Sequence, residues 1–521
     1  MRITNKIMQR NNLSNINTNK IYQDKLSTQM STQKKINRPS DDPVVAIRAL
    51  RLRSNVTEIT QYYSKNIPDA ESWLSVTEDA LKNLSEVITD MISQCTKASN
   101  GDLTTEDRKI ILEQLKALGE EVYSTGDADY AGRYVFTGYR TDTPLSFEEE
   151  MTKTYSITEQ MDMTAIDTVT KVNTDKLLDI NTSNYMDAGM NVAEQAVGSV
   201  DAYRIRLAYS DCSEDTTPAI TFWQEKTDAN GNPTYEEVTW PDPQNNVSIQ
   251  TMHDYDDPYT YVSKDADAIV YVPETGELLL GSNRYETLMA TRDNEATLVN
   301  EAEIRVTYEK KDWEKGDLRP EHYFKCESEG VVYNEKYLEP DTARQIIEYD
   351  VGFNQTIQVN STADEAFVHG IGREVDDLVS AIQNVSDLET VKTNIEAMLE
   401  LVDADSAEGK RLQQQLDATD KALTLAKDKE QKLFEKGITA FQGYLDQTNL
   451  SITDVGTRSS KLELIKNRMQ NQKTTFETLK SENEDVDITE VAIHLSSAEL
   501  TYEAALMATG KVMQTTLLNF I

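Results

Sequence analysis

Residues 488–521 read ITEVAIHLSSAELTYEAALMATGKVMQTTLLNFI. Small or apolar side chains recur at alternating steps of three and four, at Ile488, Val491, Leu495, Ala498, Tyr502, Ala505, Thr509, Val512 and Thr516. That spacing is the seam of a helix that packs against another helix. At 1.5 Å per residue the helix would reach roughly 50 Å, too long for a small core to cover. From Leu500 onward its only charged side chains are Glu503 and Lys511, so an uncovered tail would be sticky. Thr, Gln, Glu and Lys interrupt it too often to leave the run of about 20 apolar residues that a membrane span requires. The seam points instead to burial between protein subunits.

The opposite end is the natural partner. Residues 1–38 carry sparse apolar groups, Ile3, Ile7, Leu13, Ile16, Ile21, Leu26 and Met30, among many Asn, Gln, Ser and Thr. Asn15, Asn17 and Asn19 compete with the backbone for hydrogen bonds and lower helix propensity. This arm is expected to be disordered in the free chain and to fold on assembly. The candidate subunit interface is therefore Ile3, Ile7, Ile16, Ile21, Leu26 and Met30 with Ile488, Val491, Leu495, Ala498, Tyr502, Ala505 and Val512.

Working inward, Asp42 can cap a helix that has Pro43 at its first position, where a missing N–H costs nothing. Apolar steps from Val56 to Cys95 predict a long helix, with a kink or restart at Pro68. Ser99-Asn-Gly-Asp102 is a turn, and a second helix from Thr105 to about Thr125 completes an antiparallel hairpin. The pattern changes at Gly126. Residues 134–139 and 143–147 read as extended. Residues 151–363 hold 15 of the 24 tyrosines and three of the four tryptophans and read as antiparallel β. Hairpin turns are predicted at Asp228–Gly231, Pro273–Gly276 and Glu327–Gly330. Helical periodicity returns after Gly372 and runs from about Lys410 without a strong stop, with Gly437 and Gly443 weakening it and Gly456 marking a bend or loosened turn.

The expected fold is α+β: a long antiparallel helical bundle or coiled coil built from both termini, with an inserted, mainly antiparallel β domain. The domains are 1–42 with 470–521 as terminal helices, 43–150 with 364–469 as a helical core, and 151–363 as a variable, outward-facing insert.

The chain has 521 residues and a net charge of −38, which argues against a nucleic-acid partner. Residues 1–38 nevertheless hold eight Lys/Arg and one acid, while 151–363 hold 17 bases and 40 acids, so the acidity is concentrated in the insert. Cys95, Cys212 and Cys326 lie far apart, which excludes zinc-ribbon spacing and a disulfide scaffold. The first twenty residues lack the apolar stretch of a secretory signal peptide. Neither a nucleic-acid nor a membrane partner is expected.

Catalytic patterns are missing. His253, His322, His369 and His494 are isolated, and no H-E-x-x-H, phosphate loop or nucleophile elbow occurs. Gly370-Ile-Gly372 lacks the third glycine and preceding strand of a dinucleotide loop. Asp254-Tyr-Asp256-Asp257 lacks the Gly and distal Glu of an EF-hand and reads as a solvated acidic loop. Trp223, Trp240 and Trp313 read as β-core residues, with a carbohydrate platform as the competing possibility. No catalytic residue, metal or cofactor is expected.

Several stretches together resemble the bacterial flagellin family: Met1-Arg-Ile-Thr; residues 29–43, which include Pro39, Ser40, Asp41, Asp42 and Pro43; Gly132–Tyr139, which include Phe136 and Gly138; Val486-Asp-Ile488; Tyr502–Leu506; and Leu517–Ile521. The resemblance covers about 1–147 and 370–521, and the middle matches nothing nameable. Pro43 in place of the usual Ala, and the ending Leu518-Asn-Phe-Ile521, favour the branch at the junction between hook and filament. Gln33 departs from the Gly the family usually carries there. The resemblance implies a non-enzymatic subunit, exported through the flagellar type III channel without a cleaved signal peptide and located outside the cell. It implies as partners other copies of itself, a neighbouring hook-associated protein, flagellin and an export chaperone. A divergent filament flagellin and a stalk-mounted glycan-binding adhesin are the competing readings.

Overall fold

The structure, a computed structural model, describes residues 5–99, 103–174, 176–227, 233–290, 304–338 and 345–514. Their contacts fall into two compact units. One holds the described residues of Met1–Glu71, Tyr349–Ile357 and Ser460–Ile521; the other holds those of Ser72–Glu348 and Gln358–Ser459. These boundaries cut across the composition shifts, because most of the insert falls in one unit with helices that flank it, while its residues 349–357 fall in the other. The architecture is α+β.

Helices α1 (Asn5–Thr32), α2 (Pro43–Gln61), α3 (Ile67–Ala98) and α4 (Thr105–Gly126) open the chain. Pro68 leaves its mark as a π turn over Tyr62–Asn66, in which the Ile67 N–H reaches back to the Tyr62 carbonyl. The widened ladder absorbs the donor that proline lacks, and the helix restarts at the predicted place. Thr104 caps α4 with a reciprocal box: its Oγ1 accepts the Asp107 N–H at 3.2 Å while Asp107 accepts the Thr104 N–H at 3.2 Å. The turn foreseen at 99–102 lies almost wholly outside the described residues.

Two short strands, β1 (Asp129–Tyr130) and β2 (Arg133–Tyr134), pair as a ribbon. The insert contributes β3 (Met151–Met161), β4 (Ile166–Asn173), β5 (Gly198–Arg206), β6 (Ala219–Thr227), β7 (Pro233–Trp240), β8 (Gln250–Thr251), α5 (Pro258–Lys264), β9 (Ile269–Val272), β10 (Glu277–Leu280), α6 (Ser282–Met289), β11 (Ile304–Trp313), β12 (Lys325–Ser328) and β13 (Val331–Tyr333). They form a five-stranded sheet, β4-β5-β10-β9-β8, and a six-stranded sheet, β13-β12-β3-β11-β6-β7. Every pairing in them is antiparallel except β8 with β9.

The three foreseen strand pairs form, β6–β7, β9–β10 and β12–β13, although the turn foreseen at Asp228–Gly231 lies outside the described residues. The last turns at Glu329 (φ 53°) and Gly330 (φ 78°), two left-handed residues that suit the strand twist. Gly276 (φ 61°) closes the second, where an added Cβ would lie 1.9 Å from the Tyr209 carbonyl oxygen, so only glycine fits. Trp223, Trp240 and Trp313 are all buried. Trp313 packs on Phe147 at 4.9 Å and Tyr209 at 5.2 Å and donates its indole N–H to the Lys153 carbonyl at 2.7 Å. They are core residues, and no aromatic platform results.

A small hairpin, β14 (Glu348–Gly352) and β15 (Gln355–Gln358), precedes α7 (His369–Glu400), α8 (Ala407–Glu484) and α9 (Ile488–Gln514). Helix α8 has 78 residues, about 115 Å of continuous helix. It runs without interruption through Gly437, Gly443 and Gly456. At the last two a Cβ would meet nothing within 4 Å, so neither glycine is there to admit a neighbour.

The insert is bolted to α7 within the second unit. Arg204 on β5, 2% exposed, binds Asp167 of β4 at 2.9 Å, Glu277 of β10 at 2.6 Å and Asp377 of α7 at 2.9 Å. Arg206 adds a 2.6 Å bond to Asp377. Burial would raise the Asp377 pKa, yet the guanidiniums of Arg206 and Arg204 overcome that and hold it at about 2. Removing one member of such a buried group strands the others and costs about 3–5 kcal/mol.

Glu159 of β3 is buried beside Tyr308, whose hydroxyl donates to it, and the Ala208 N–H at 3.0 Å. Burial outweighs these bonds and pushes its pKa from 4.5 up to about 7. The folded state therefore holds this proton more tightly than the unfolded chain, and the carboxyl's contribution to stability is lost as pH rises from 4.5 through 7. Urea unfolding of Glu159→Gln beside the unmodified chain is expected to show the variant gaining relative stability, on the order of 3 kcal/mol, between pH 4.5 and pH 8. A difference independent of pH would contradict the assignment.

Candidate subunit interface

The two chain ends meet at a pair of turns inside the first unit. Gln33, just after α1, adopts a left-handed conformation (φ 57°), which explains why glycine is expected there. Its carbonyl accepts the Val486 N–H at 3.1 Å, and the Lys35 N–H donates to the Glu484 carbonyl at 2.7 Å. The turn between α1 and α2 thus pairs with the turn between α8 and α9.

Charges reinforce the junction. Glu484 is 2% exposed and receives both arms of the Arg53 guanidinium of α2, at 2.6 and 2.8 Å. Lys34 lies 3.8 Å from Glu484 and bonds Asp485 directly. The hydrogen bond from Arg53 holds the Glu484 pKa below its ordinary value against the opposing effect of burial. Asn483 donates to the Val45 carbonyl at 3.2 Å, which ties α8 to the first turn of α2.

The motif residues build this corner. Pro39 and Ser40 make the turn, closed by the Asp41 N–H on the Arg38 carbonyl at 2.9 Å. Asp41 accepts the N–H groups of Asn37 and Arg38 at 3.1 and 2.9 Å. Asp42 caps α2 by accepting from Val44 and Val45 at 3.0 and 3.1 Å, with Pro43 at the first position as foreseen. Phe136 and Gly138 lie in the other unit. Phe136 is buried edge-on against Phe367 at 4.7 Å, and Gly138 (φ 61°) leaves room for Gln345, whose Oε1 accepts the Tyr139 N–H at 2.7 Å.

Beyond the clasp, α1 and α9 run together. Leu26, Val491 and Ala498 are buried in one cluster, with Val486 and Leu495 packed against it. Ile16, Tyr502 and Ala505 are half-buried, whereas Ile7, Ile21, Met30 and Ile488 are exposed. Ile3, and the side chain of Val512, fall outside what the structure describes. The seam from Val491 to Ala505 therefore faces α1 of its own chain along much of its length. Ile493, Leu500 and Met507 form a second stripe with heptad spacing on the opposite face of α9, and they are 65%, 68% and 66% exposed. Sequence reasoning passed over this stripe, although its period of seven was available to find it. A helix apolar on both faces is one that needs burial on both. Leu13 and Tyr22 expose further apolar surface on α1.

No catalytic constellation assembles among the described residues. Burial pushes the pKa of His322 down to about 4, and its Nε2 lies 3.0 Å from the Pro144 carbonyl. His369 is held at about 3 by burial among Tyr209, Tyr323 and Phe324. A cavity of about 80 Å³ near Phe136, His322 and Tyr337 has room for a few waters only. In the 254–257 loop, Asp254 pairs with Lys171 at 3.3 Å and Asp257 caps α5, so these acids are engaged locally. No described helix is long and apolar enough to cross a membrane.

Residues 3–141 match the family described as bacterial flagellin N-terminal helical region. The flagellar hook-associated protein 3 of Escherichia coli K12 is 27% identical over 230 residues, 42% of this chain and 72% of that protein. Its Salmonella typhimurium counterpart is 31% identical over 143 residues, 27% of this chain and 45% of that protein. The crystal structure of flagellar hook-associated protein 3 from Legionella pneumophila aligns over 83% of this chain and 97% of its own at 10% identity, with a TM-score of 0.28.

Asp42→Ala removes the cap of α2 and leaves the rest of the corner in place. It is expected to lower unfolding stability by about 1 kcal/mol, read by urea denaturation. No change would mean that the cap does not hold the corner.

Proposed function

We propose that this chain, which belongs to the bacterial flagellin family, is a structural subunit of the flagellum that joins hook to filament. The observation that carries the reading is the double apolar face of α9: one stripe packs on α1, and the other, Ile493–Leu500–Met507, is left for a neighbouring copy. The polar arm fits the same role. Leu26 is the only buried apolar side chain described in the 28 residues of α1. Burying one leucine yields about 1.5–3 kcal/mol, while ordering each backbone residue costs roughly 1–2 kcal/mol before hydrogen bonding is counted. Helices α1 and α9 gain full order only when other subunits cover them, so these two helices are loosely ordered in the free chain and line the inner tube on assembly. Residues 43–150 and 364–469 form the wall, and 151–363 faces outward.

The partners are other copies of this chain, a neighbouring hook-associated protein, flagellin and an export chaperone. The chain leaves the cell unfolded, acts outside it, and has no catalytic role. Three free, buried cysteines and no described disulfide suit passage of an extended chain.

The double substitution Ile493→Asp, Leu500→Asp tests the mechanism at exposed positions. Its monomer should keep the far-ultraviolet circular dichroism and melting of the unmodified chain but fail to assemble, and cells carrying it should lack filaments. Normal assembly would overturn the reading. Immunogold label on the unmodified protein should mark a single narrow band beyond the hook; label along the whole filament would favour a filament flagellin.

A further inference from the structure

We propose that Glu214, His253 and Glu274 form a binding site for a divalent transition-metal ion of the Zn²⁺ class on the β insert. Among the described residues this is the one place where three such side chains bring ligand atoms within 4.8 Å of one another. His253 Nδ1 lies 3.9 Å from the Glu214 carboxylate and is hydrogen-bonded to Glu274 Oε1. Donor atoms on a tetrahedral ion at about 2.1 Å sit some 3.4 Å apart, so small side-chain adjustments would seat one. One imidazole nitrogen and two carboxylates, with water completing the shell, suit a borderline ion better than Ca²⁺ or Mg²⁺, which favour all-oxygen sets.

The three ligands come from separate segments whose backbones are already fixed to one another. Glu214 follows a stretch in which the Asp211 and Cys212 N–H groups donate to the carbonyls of Glu274 and Pro273 at 3.0 and 2.9 Å. The Met252 N–H, one residue before His253, donates to the Tyr271 carbonyl at 3.0 Å, and the Tyr271 hydroxyl donates to the Ser213 carbonyl at 3.2 Å. Tyr255 stacks on the His253 ring at 4.9 Å with an interplanar angle of 9°, which sets its orientation. A site held this way loses little freedom when it binds. The second oxygen of Glu274 is shielded from solvent with no hydrogen-bond partner, so the carboxylate has a lone pair that its surroundings leave unused. An ion here would pin the loop before β6, the loop after β8 and the β9–β10 turn at one point.

The test is calorimetric titration of the full-length chain, stripped with chelator, with Zn²⁺ alone. One saturable site per chain is expected. His253→Ala and Glu274→Gln should each weaken it by at least about tenfold, whereas His494→Ala, at the His494–Glu490 pair on α9, should leave it unchanged. Glu214→Gln, at an exposed side chain, serves as the reporting variant should His253→Ala misfold. The proposal is overturned by the absence of saturable binding, or by binding that survives the substitutions at His253, Glu274 and Glu214.

Discussion

The clasp around Glu484 is the constraint on which the arrangement of the two ends depends. A carboxylate removed from water must be met by opposite charge and by hydrogen bonds, or its burial would be prohibitive. Arg53 supplies a two-pronged partner from α2, and Lys34 a second charge from the turn after α1. The backbone bonds from Lys35 to Glu484 and from Val486 to Gln33 then hold two chain segments some 450 residues apart in one register. From that point α1 and α9 must leave side by side. Their pairing covers one face of each and leaves the other to be covered from outside.

The β insert solves a different problem. Two sheets of antiparallel strands could sit on helices in many orientations, since apolar contact alone is not directional. Arg204 removes that freedom for the five-stranded sheet by binding three carboxylates from β4, β10 and α7 at once. Within the second unit that sheet is therefore a fixed part of the helical framework. The insert's acidity adds mutual repulsion between exposed faces and limits unwanted association.

Much of the framework was legible because it is written locally. Asp42-Pro43 specifies a cap within three residues, Pro68 a ladder defect within one turn, and Pro273–Gly276 a reversal between two apolar runs. Gln33 was legible as an anomaly, and the left-handed backbone there gives the reason. The partners of Arg204 were not legible, because they lie 37, 73 and 173 residues away along the chain and no spacing rule connects them. The convergence of Glu214, His253 and Glu274 was hidden for the same reason, since each looks like an ordinary surface residue of a different loop. Periodicity found the seam of α9 but could not tell which stripe meets its own chain. Choosing between the 491–498 face and the 493–507 face requires knowing where α1 lies.

Hydrogen exchange on the monomer and on the assembled form tests the central claim most directly, because it reads the order of each segment without mutation. In the monomer, amides of 5–32 and 488–514 should exchange far faster than those of α3 and α7, whose side chains already fill a core. On assembly, the same two segments should become protected while α3 and α7 change little. Ends protected in the monomer as strongly as α3 would mean that α1 and α9 need no neighbours, and the account of assembly by covering their outer faces would fail.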